Sequence, residues 1–201
     1  MTPLFSTAYF PPIAYVAALS RYREVLIDAK ETFPKQTYRN RMEILTAGGV
    51  RVLTVPVKRN NHSRTEEVEI DYKERWNVIH LRTLTAAYAA SPYFLYYRDD
   101  IERLLLCRYD KLVELNHAAL KWVLGKLKTE CRMRYTDDYV RSFEGVDYRN
   151  TFSPKRQCQI ESKPYYQVFA DRMPFVQNMS ILDVLMNLGP EAKEYISTIE
   201  I

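Results

Sequence analysis

The opening of the chain constrains its fold more than any other stretch. Leu4 to Tyr9 reads as a short strand, Pro11-Pro12 breaks it, and Ile13 to Leu19 reads as a small apolar helix with a proline near its first turn. Glu24-Val25-Leu26-Ile27-Asp28-Ala29 follows at once, β-branched and apolar in its middle, and reads as a second strand. Strand, helix and strand in so little chain predict a βαβ unit with parallel strands and a right-handed crossover. Parallel strands end at the same edge, and open α/β sheets bind ligands outside that edge. Tyr9 and Pro11 are therefore expected beside Asp28 and Glu31.

Just beyond lies Lys35-Gln36-Thr37-Tyr38-Arg39-Asn40-Arg41, three cations among hydrogen-bonding side chains between two expected strands. Arg offers a fixed fork of donors and Lys a mobile point charge, a combination suited to phosphate, pyrophosphate or carboxylate. The plain alternative is a solvated basic connector. Arg41 to Thr46 and Val50 to Val57 read as two strands joined through Gly48-Gly49, a hairpin signal, with Pro56 marking an edge or strand end. Lys58 to Thr65 reads as a polar loop and Glu66 to Tyr72 as another strand.

The second half reads mainly as helix. Lys73 to Ala90 carries Trp76, His80, Leu84 and Tyr88 at four-residue spacing, which puts them on one slowly turning stripe, and Ser91-Pro92 ends it. Asp99 to Cys107 and Tyr109 to Lys128 read as core helices, and Thr129 to Tyr135 as one more strand. Thr136 to Pro164 has few aliphatic residues and no period, so it reads as a long loop, functional or disordered. Ser180 and Asp183 approximate a capping box at the start of a helix that Gly189 stops, and Pro190 opens a last helix to about Ser197. The expected class is α/β in a single domain over 1–201: a mixed sheet with an N-terminal βαβ unit, a hairpin and a helical C-terminal half.

Composition narrows the setting. The apolar content of 47% and charged content of 27% are those of a globular chain, and no apolar run reaches the length of a membrane span. The N-terminus lacks the basic and apolar regions of a secretion signal, so the expected location is cytoplasmic. Cys107, Cys131 and Cys158 are odd in number and without C-x-x-C spacing, which predicts free thiols. A formal net charge of +4 is too mild to imply nucleic acid, and anionic small molecules fit better. The phosphate-loop, dinucleotide, zinc-protease and nucleophile-elbow motifs are all missing, so neither a metal nor a cofactor is expected.

Among single residues, His80 is the candidate general base, against its reading as a histidine bonded at the core edge. Asp28 and Glu31 are the candidate carboxylates, able to bind or deprotonate a ligand hydroxyl or simply to pair with Arg39 or Arg41. Cys158 lies beside Arg156 but has no base partner, which argues against a nucleophile. Helix capping accounts for Ser180 and Asp183.

Several segments together resemble the WbqC-like family, named for a gene of bacterial O-antigen clusters. Tyr9, Pro11 and Tyr15 fit its N-terminal motif, although the Gln-Pro that begins that motif is absent here. Asp28, Glu31, Lys35 and Arg39-Asn40-Arg41 resemble its acidic segment and Arg-Asn motif, and Leu53-Thr54-Val55-Pro56-Val57 its strand. Trp76, His80, Ala87-Tyr88, Pro92-Tyr93-Phe94, Leu115-Asn116, Tyr166-Gln167, Phe175 and Ser180 through Gly189 also match. Asp147-Tyr148-Arg149 and Ser153-Pro154-Lys155 resemble a family element, which implies that the loop 136–164 closes over a site as a lid and makes Arg149 and Lys155 candidate anion ligands.

The resemblance implies a role in making surface polysaccharide, by transfer to an activated amino sugar. The expected site gathers Tyr9, Asp28, Glu31, Lys35, Arg39, Asn40, Arg41, Trp76 and His80, with Tyr88, Tyr166 and Gln167 as further ligand contacts. Lys35, Arg39 and Arg41 would hold the phosphates of a nucleotide sugar or carrier thioester, Tyr9 and Trp76 would stack on sugar or base, and His80 or Asp28 would be the base. The expected activity is that of a metal-independent transferase acting on an activated amino sugar or a carrier-bound acyl or aminoacyl group. The alternative is a non-catalytic module of the same pathway that binds a nucleotide sugar or a partner. Nucleic-acid binding comes last.

Overall fold

The computed structural model describes residues 2–60, 62–155 and 160–201. The protein is α/β and opens as expected, with β1 (Leu4–Ser6), α1 (Ile13–Leu19) and β2 (Glu24–Asp28), the two strands parallel and Ser6 level with Asp28. Pro12 sits at the N-cap of α1 with its φ at −64°, and all of Ile13 to Leu19 is buried. A helix apolar on every side has to lie inside the molecule. The third parallel strand, β7 (Arg132–Tyr135), lies on the other side of β2, with Tyr135 opposite Ile27.

Part of the long loop belongs to this sheet. The Leu4 N–H donates to the Val146 carbonyl at 2.9 Å and the Tyr148 N–H to the Leu4 carbonyl at 2.7 Å, so residues 146–148 run parallel along the open edge of β1. Tyr148 stacks on Phe5 with ring centroids 4.7 Å apart, and Phe152 stacks on Tyr148 at 5.8 Å. Few aliphatic residues are needed where aromatic rings supply the apolar area.

The hairpin is β3 (Arg41–Thr46) and β4 (Gly49–Thr54), turning over Ala47-Gly48. Of the two glycines only Gly49 takes positive φ, at 96°. Pro56 lacks the N–H a ladder needs, and there the expected strand Val50 to Val57 divides into β4 and the two-residue β5 (Val57–Lys58). The expected strand Glu66 to Tyr72 is also shorter. Thr65–Glu67 forms a 3-10 turn, because the Thr65 and Glu66 N–H groups bond the Glu31 and Ala29 carbonyls instead, and only β6 (Glu69–Ile70) pairs with β5. The strands thus sort into a three-stranded parallel sheet and two antiparallel ribbons.

Five further α-helices follow among the described residues: α2 (Trp76–Tyr88), α3 (Phe94–Leu106), α4 (Leu112–Lys126), α5 (Ile181–Leu188) and α6 (Ala192–Thr198). The stripe Trp76, His80, Leu84 and Tyr88 is buried along α2, as its spacing predicts. α3 starts at Phe94 rather than Asp99, because the aromatic Phe94 and Tyr97 bury a turn that polarity alone does not reveal. At the start of α5 the Ser180 hydroxyl accepts from the Leu182 N–H at 3.4 Å and donates to the Phe10 carbonyl at 2.9 Å. Gly189 ends it at φ 53°, where an added Cβ would lie 2.5 Å from the Tyr93 ring, so no other residue fits. No helix among the described residues is long and apolar enough to cross a membrane.

Candidate functional site

Ser6, Asp28 and Thr136 form one row across the carboxyl edge of the parallel sheet. Asp28 is fully buried and every part of its carboxylate is used: Oδ1 accepts the N–H groups of Lys30 at 2.9 Å and Glu31 at 3.1 Å and the Thr136 hydroxyl at 3.4 Å. Its Oδ2 accepts from Arg149 Nη1 at 2.8 Å. The pairing explains how Arg149 arrives there. Asp147 is level with Leu4, so Arg149, two residues on, is level with Ser6 and reaches across β1 to Asp28. Asp147 grips the rest of the same guanidinium at 2.6 to 3.1 Å, and those bonds hold its carboxyl below the usual range.

Glu31 and Arg39 form a two-bond ion pair, Nε to Oε1 at 2.6 Å and Nη2 to Oε2 at 2.7 Å, with Arg39 only 3% exposed. Burial pushes the Glu31 carboxyl up and the Arg39 guanidinium pulls it back. Arg39 also donates to the Arg149 carbonyl at 3.3 Å, which links the two pairs. Three carboxylates here, Asp28, Glu31 and Asp147, face two guanidiniums. No cation of this network is left for an anionic ligand, so Arg39 and Arg149, read from sequence as anion ligands, are structural ion pairs in this arrangement.

The remaining sequence candidates scatter. Asn40 is buried, and its amide donates to the Val55 carbonyl at 2.9 Å, tying the basic segment to the strand after the hairpin. Lys35 and Lys155 are exposed, Tyr166 is 63% exposed, and Arg41 is half-buried with Nε unpartnered. Tyr9 and His80 do meet, Tyr9 Oη and His80 Nδ1 lying 3.0 Å apart, with Trp76 edge-on to the imidazole at 5.1 Å. All three are buried, and burial brings the His80 pKa down to about 4, so the ring is a neutral packing element. Gln167 and Tyr88 belong to another place altogether. Gln167 brackets Val176 at 3.0 Å on both backbone groups and donates to the buried Asp183 carboxylate at 2.8 Å, to which Tyr165 also donates. The fully buried Tyr88 lies beside the same carboxylate. Asp183 therefore does not complete a capping box: its carboxylate turns inward to these partners. Cys158 lies outside the described residues.

Beside the buried network, at the same edge of the sheet, a cavity of about 520 Å³ opens to solvent. Its walls come from the end of β2 (Ala29, Lys30), the end of β7 (Tyr135, Thr136, Asp137), the 3-10 turn (Glu66) and one face of α4 (Val113, Glu114, His117). Val113, Glu114 and His117 share that face because they are spaced three and four apart. His117 Nδ1 lies 2.9 Å from the Tyr135 hydroxyl. Burial, with Lys121 nearby, lowers the pKa of the imidazole, and burial pushes the Tyr135 phenol up to about 12, so both are neutral at neutral pH. With Nδ1 engaged, Nε2 is the nitrogen left for a ligand. Lys30 pairs with Glu66 at 2.9 Å, while Glu114 and Asp137 are exposed. The cavity thus offers one cation against three carboxylates and a neutral histidine.

Sequence reading missed His117 because its importance depends on strand order. Once β7 is known to lie beside β2, the carboxyl-edge rule points to Tyr135 and Asp137 and to the helix face that covers them.

Residues 7–151 and 155–195 match the family described as WbqC-like proteins. A protein of Mycobacterium tuberculosis (strain ATCC 25618 / H37Rv), described as uncharacterized protein Rv1507c, is 25% identical over 218 aligned positions that cover 94% of each chain. No solved structure matches the chain.

Proposed function

The chain belongs to the WbqC-like protein family, and from that premise we propose that it is a transferase acting on an amino sugar in the making of bacterial surface polysaccharide, with its chemistry in the His117 cavity. The observation that carries the proposal is the neutral His117–Tyr135 pair, 2.9 Å apart, in an open cavity at the carboxyl edge of a parallel sheet. A general base needs a lone pair at working pH and a partner that fixes its ring. When Nδ1–H donates to Tyr135 Oη, Nε2 carries that lone pair. The three carboxylates accept hydrogen bonds from sugar hydroxyls and from an ammonium group, and repel a free anion.

In the proposed step, the acceptor's amine or hydroxyl attacks the activated carbon of the donor and its proton passes to His117 Nε2. The leaving group, a carrier thiol or a nucleoside diphosphate, departs with the electron pair. The ion-pair network of Asp28, Glu31, Arg39 and Arg149 holds the strand ends that support Lys30 and Thr136.

The test is release of carrier thiol from an acyl-coenzyme A in the presence of a nucleotide-linked amino sugar, with sugar binding followed by calorimetry. Amino-sugar-dependent release that falls about 100- to 10,000-fold in His117→Gln, with sugar binding kept, is the expected result. Sugar binding without turnover on any acyl or glycosyl donor would make the protein a non-catalytic sugar-binding module, the second reading drawn from the sequence. Equal rates in wild type and His117→Gln would remove His117 as the base.

A further inference from the structure

The opposite, amino edge of the same sheet holds a second cavity, of about 550 Å³, where the chain enters β2 and β7 and where α1 and α4 end. Its charge is the reverse of the first. Arg21, Arg23, Lys128 and Lys193 line it against a single carboxylate, Glu130. None of these four cations forms an ion pair among the described residues, whereas Lys30, Arg39 and Arg149 at the carboxyl edge are all paired.

Two of the four are held in place by backbone carbonyls: Arg21 donates to Ile199 at 2.7 Å and Lys193 to Lys128 at 3.0 Å. A neutral carbonyl orients a cation without cancelling its charge, and each side chain keeps further N–H donors free. These bonds also serve the helix ends, where unsatisfied carbonyls attract cations, but they leave the charge of Arg23 and of the Lys128 side chain unexplained. A second feature is independent of the charges. Ser20 lines this cavity, and its hydroxyl is shielded from solvent and has no hydrogen-bond partner among the described residues. A buried hydroxyl without a partner costs free energy that a ligand offering it an acceptor or donor would recover.

From the four unpaired cations and the orphaned serine we infer that the amino-edge cavity binds a small molecule bearing a diphosphate or adjacent phosphates. Its anionic part lies among Arg21, Arg23, Lys128 and Lys193, and its organic part against the wall formed by Tyr22, Leu127 and Ile196. Arg forks and Lys point charges are the donors that phosphate recognition uses. The two cavities stand at opposite ends of β2, separated by about 20 Å at strand rise. The phosphate site therefore stands whether or not the His117 cavity carries out a transfer.

The experiment is calorimetric titration of the whole protein at low salt with pyrophosphate, uridine diphosphate and uridine. Pyrophosphate and the diphosphate are expected to bind and uridine is not, with affinity falling as salt rises. The double variant Arg23→Gln, Lys128→Asn removes two charges, and Asn tolerates the φ of 49° that Lys128 adopts. It is expected to lower pyrophosphate affinity about 100-fold, roughly tenfold for each charged contact. Ser20→Ala is expected to lower it about threefold without lowering the melting temperature, since the free protein gives that hydroxyl no partner to lose. Wild-type protein that does not bind pyrophosphate, unchanged affinity in the double variant, or uridine binding as tightly as its diphosphate would each overturn the inference. None of these readouts involves turnover, so failure here and failure of the transferase reading are told apart.

Discussion

The two edges of the parallel sheet are built from the same strands and carry opposite electrostatics. At the carboxyl edge, guanidiniums are buried and matched to carboxylates, Arg39 to Glu31 and Arg149 to Asp28 and Asp147, and the cavity beside them is acidic. At the amino edge the cations are exposed, unmatched and four to one over acid. The difference teaches that a basic motif in sequence is a poor guide to anion binding. Arg39 stands in the most anion-like motif of the chain, yet it spends its charge on Glu31, because burying a guanidinium without a counter-charge costs several kcal/mol. Cations remain available where burial does not force a pairing.

The largest expected effect that sharpens this contrast is kinetic. Transfer in His117→Gln should fall about 100- to 10,000-fold while sugar binding is kept. Next, Arg39→Ala should destabilise the fold by about 3–5 kcal/mol in denaturant unfolding, since it strands the Glu31 carboxylate. Arg23→Gln, with an unpaired exposed cation, should change stability by less than about 0.5 kcal/mol. Equal losses in the two variants would break the comparison.

Acid supplies a third prediction. His80 is held neutral with a pKa of about 4 in the fold, below its value of about 6.5 in the unfolded chain, so its contribution is complete above the higher value. That contribution, about 3 kcal/mol, should be lost as pH falls from 6.5 to 4, and His80→Gln should flatten the stability profile over that window. Asp147 also has a lowered pKa, so its stabilisation is present above the ordinary carboxylate range and is lost as pH falls through the folded value. The smallest effect is in the rate profile: transfer should rise with pH and level off above a midpoint below 6.5, because the pKa of His117 is lowered and its neutral form is the active one. A midpoint above 6.5 would assign the base elsewhere.

Much of this fold was legible in short-range pattern. The βαβ opening, the hairpin through Gly48-Gly49, the stripe Trp76, His80, Leu84 and Tyr88, and the stop at Gly189 all follow from periodicity and backbone chemistry, which neighbouring residues decide. Asp28 was set at the end of its strand for the same reason, and the pairing of Glu31 with Arg39 was one of the readings the sequence allowed, whereas the pairing of Asp28 with Arg149 was not. The rest needed contacts between distant segments. The bonds from Thr65 and Glu66 to Glu31 and Ala29 shortened an expected strand, and residues 146–148 joined a sheet that begins at Leu4. Asp183 looked like a cap and became a buried acid held by Tyr165 and Gln167.

By itself, then, the sequence determined most of the helix and strand segments, though not all of their ends, and that an acid stands at the carboxyl edge of a parallel unit. Tertiary structure alone decided that β7 lies beside β2, that His117 meets Tyr135 there, and that Arg39 and Arg149 are neutralised while Arg23 and Lys128 are not. The physical reason is range. Backbone preference acts over a few residues, whereas the charge state and availability of a side chain depend on burial and on partners brought from far along the chain.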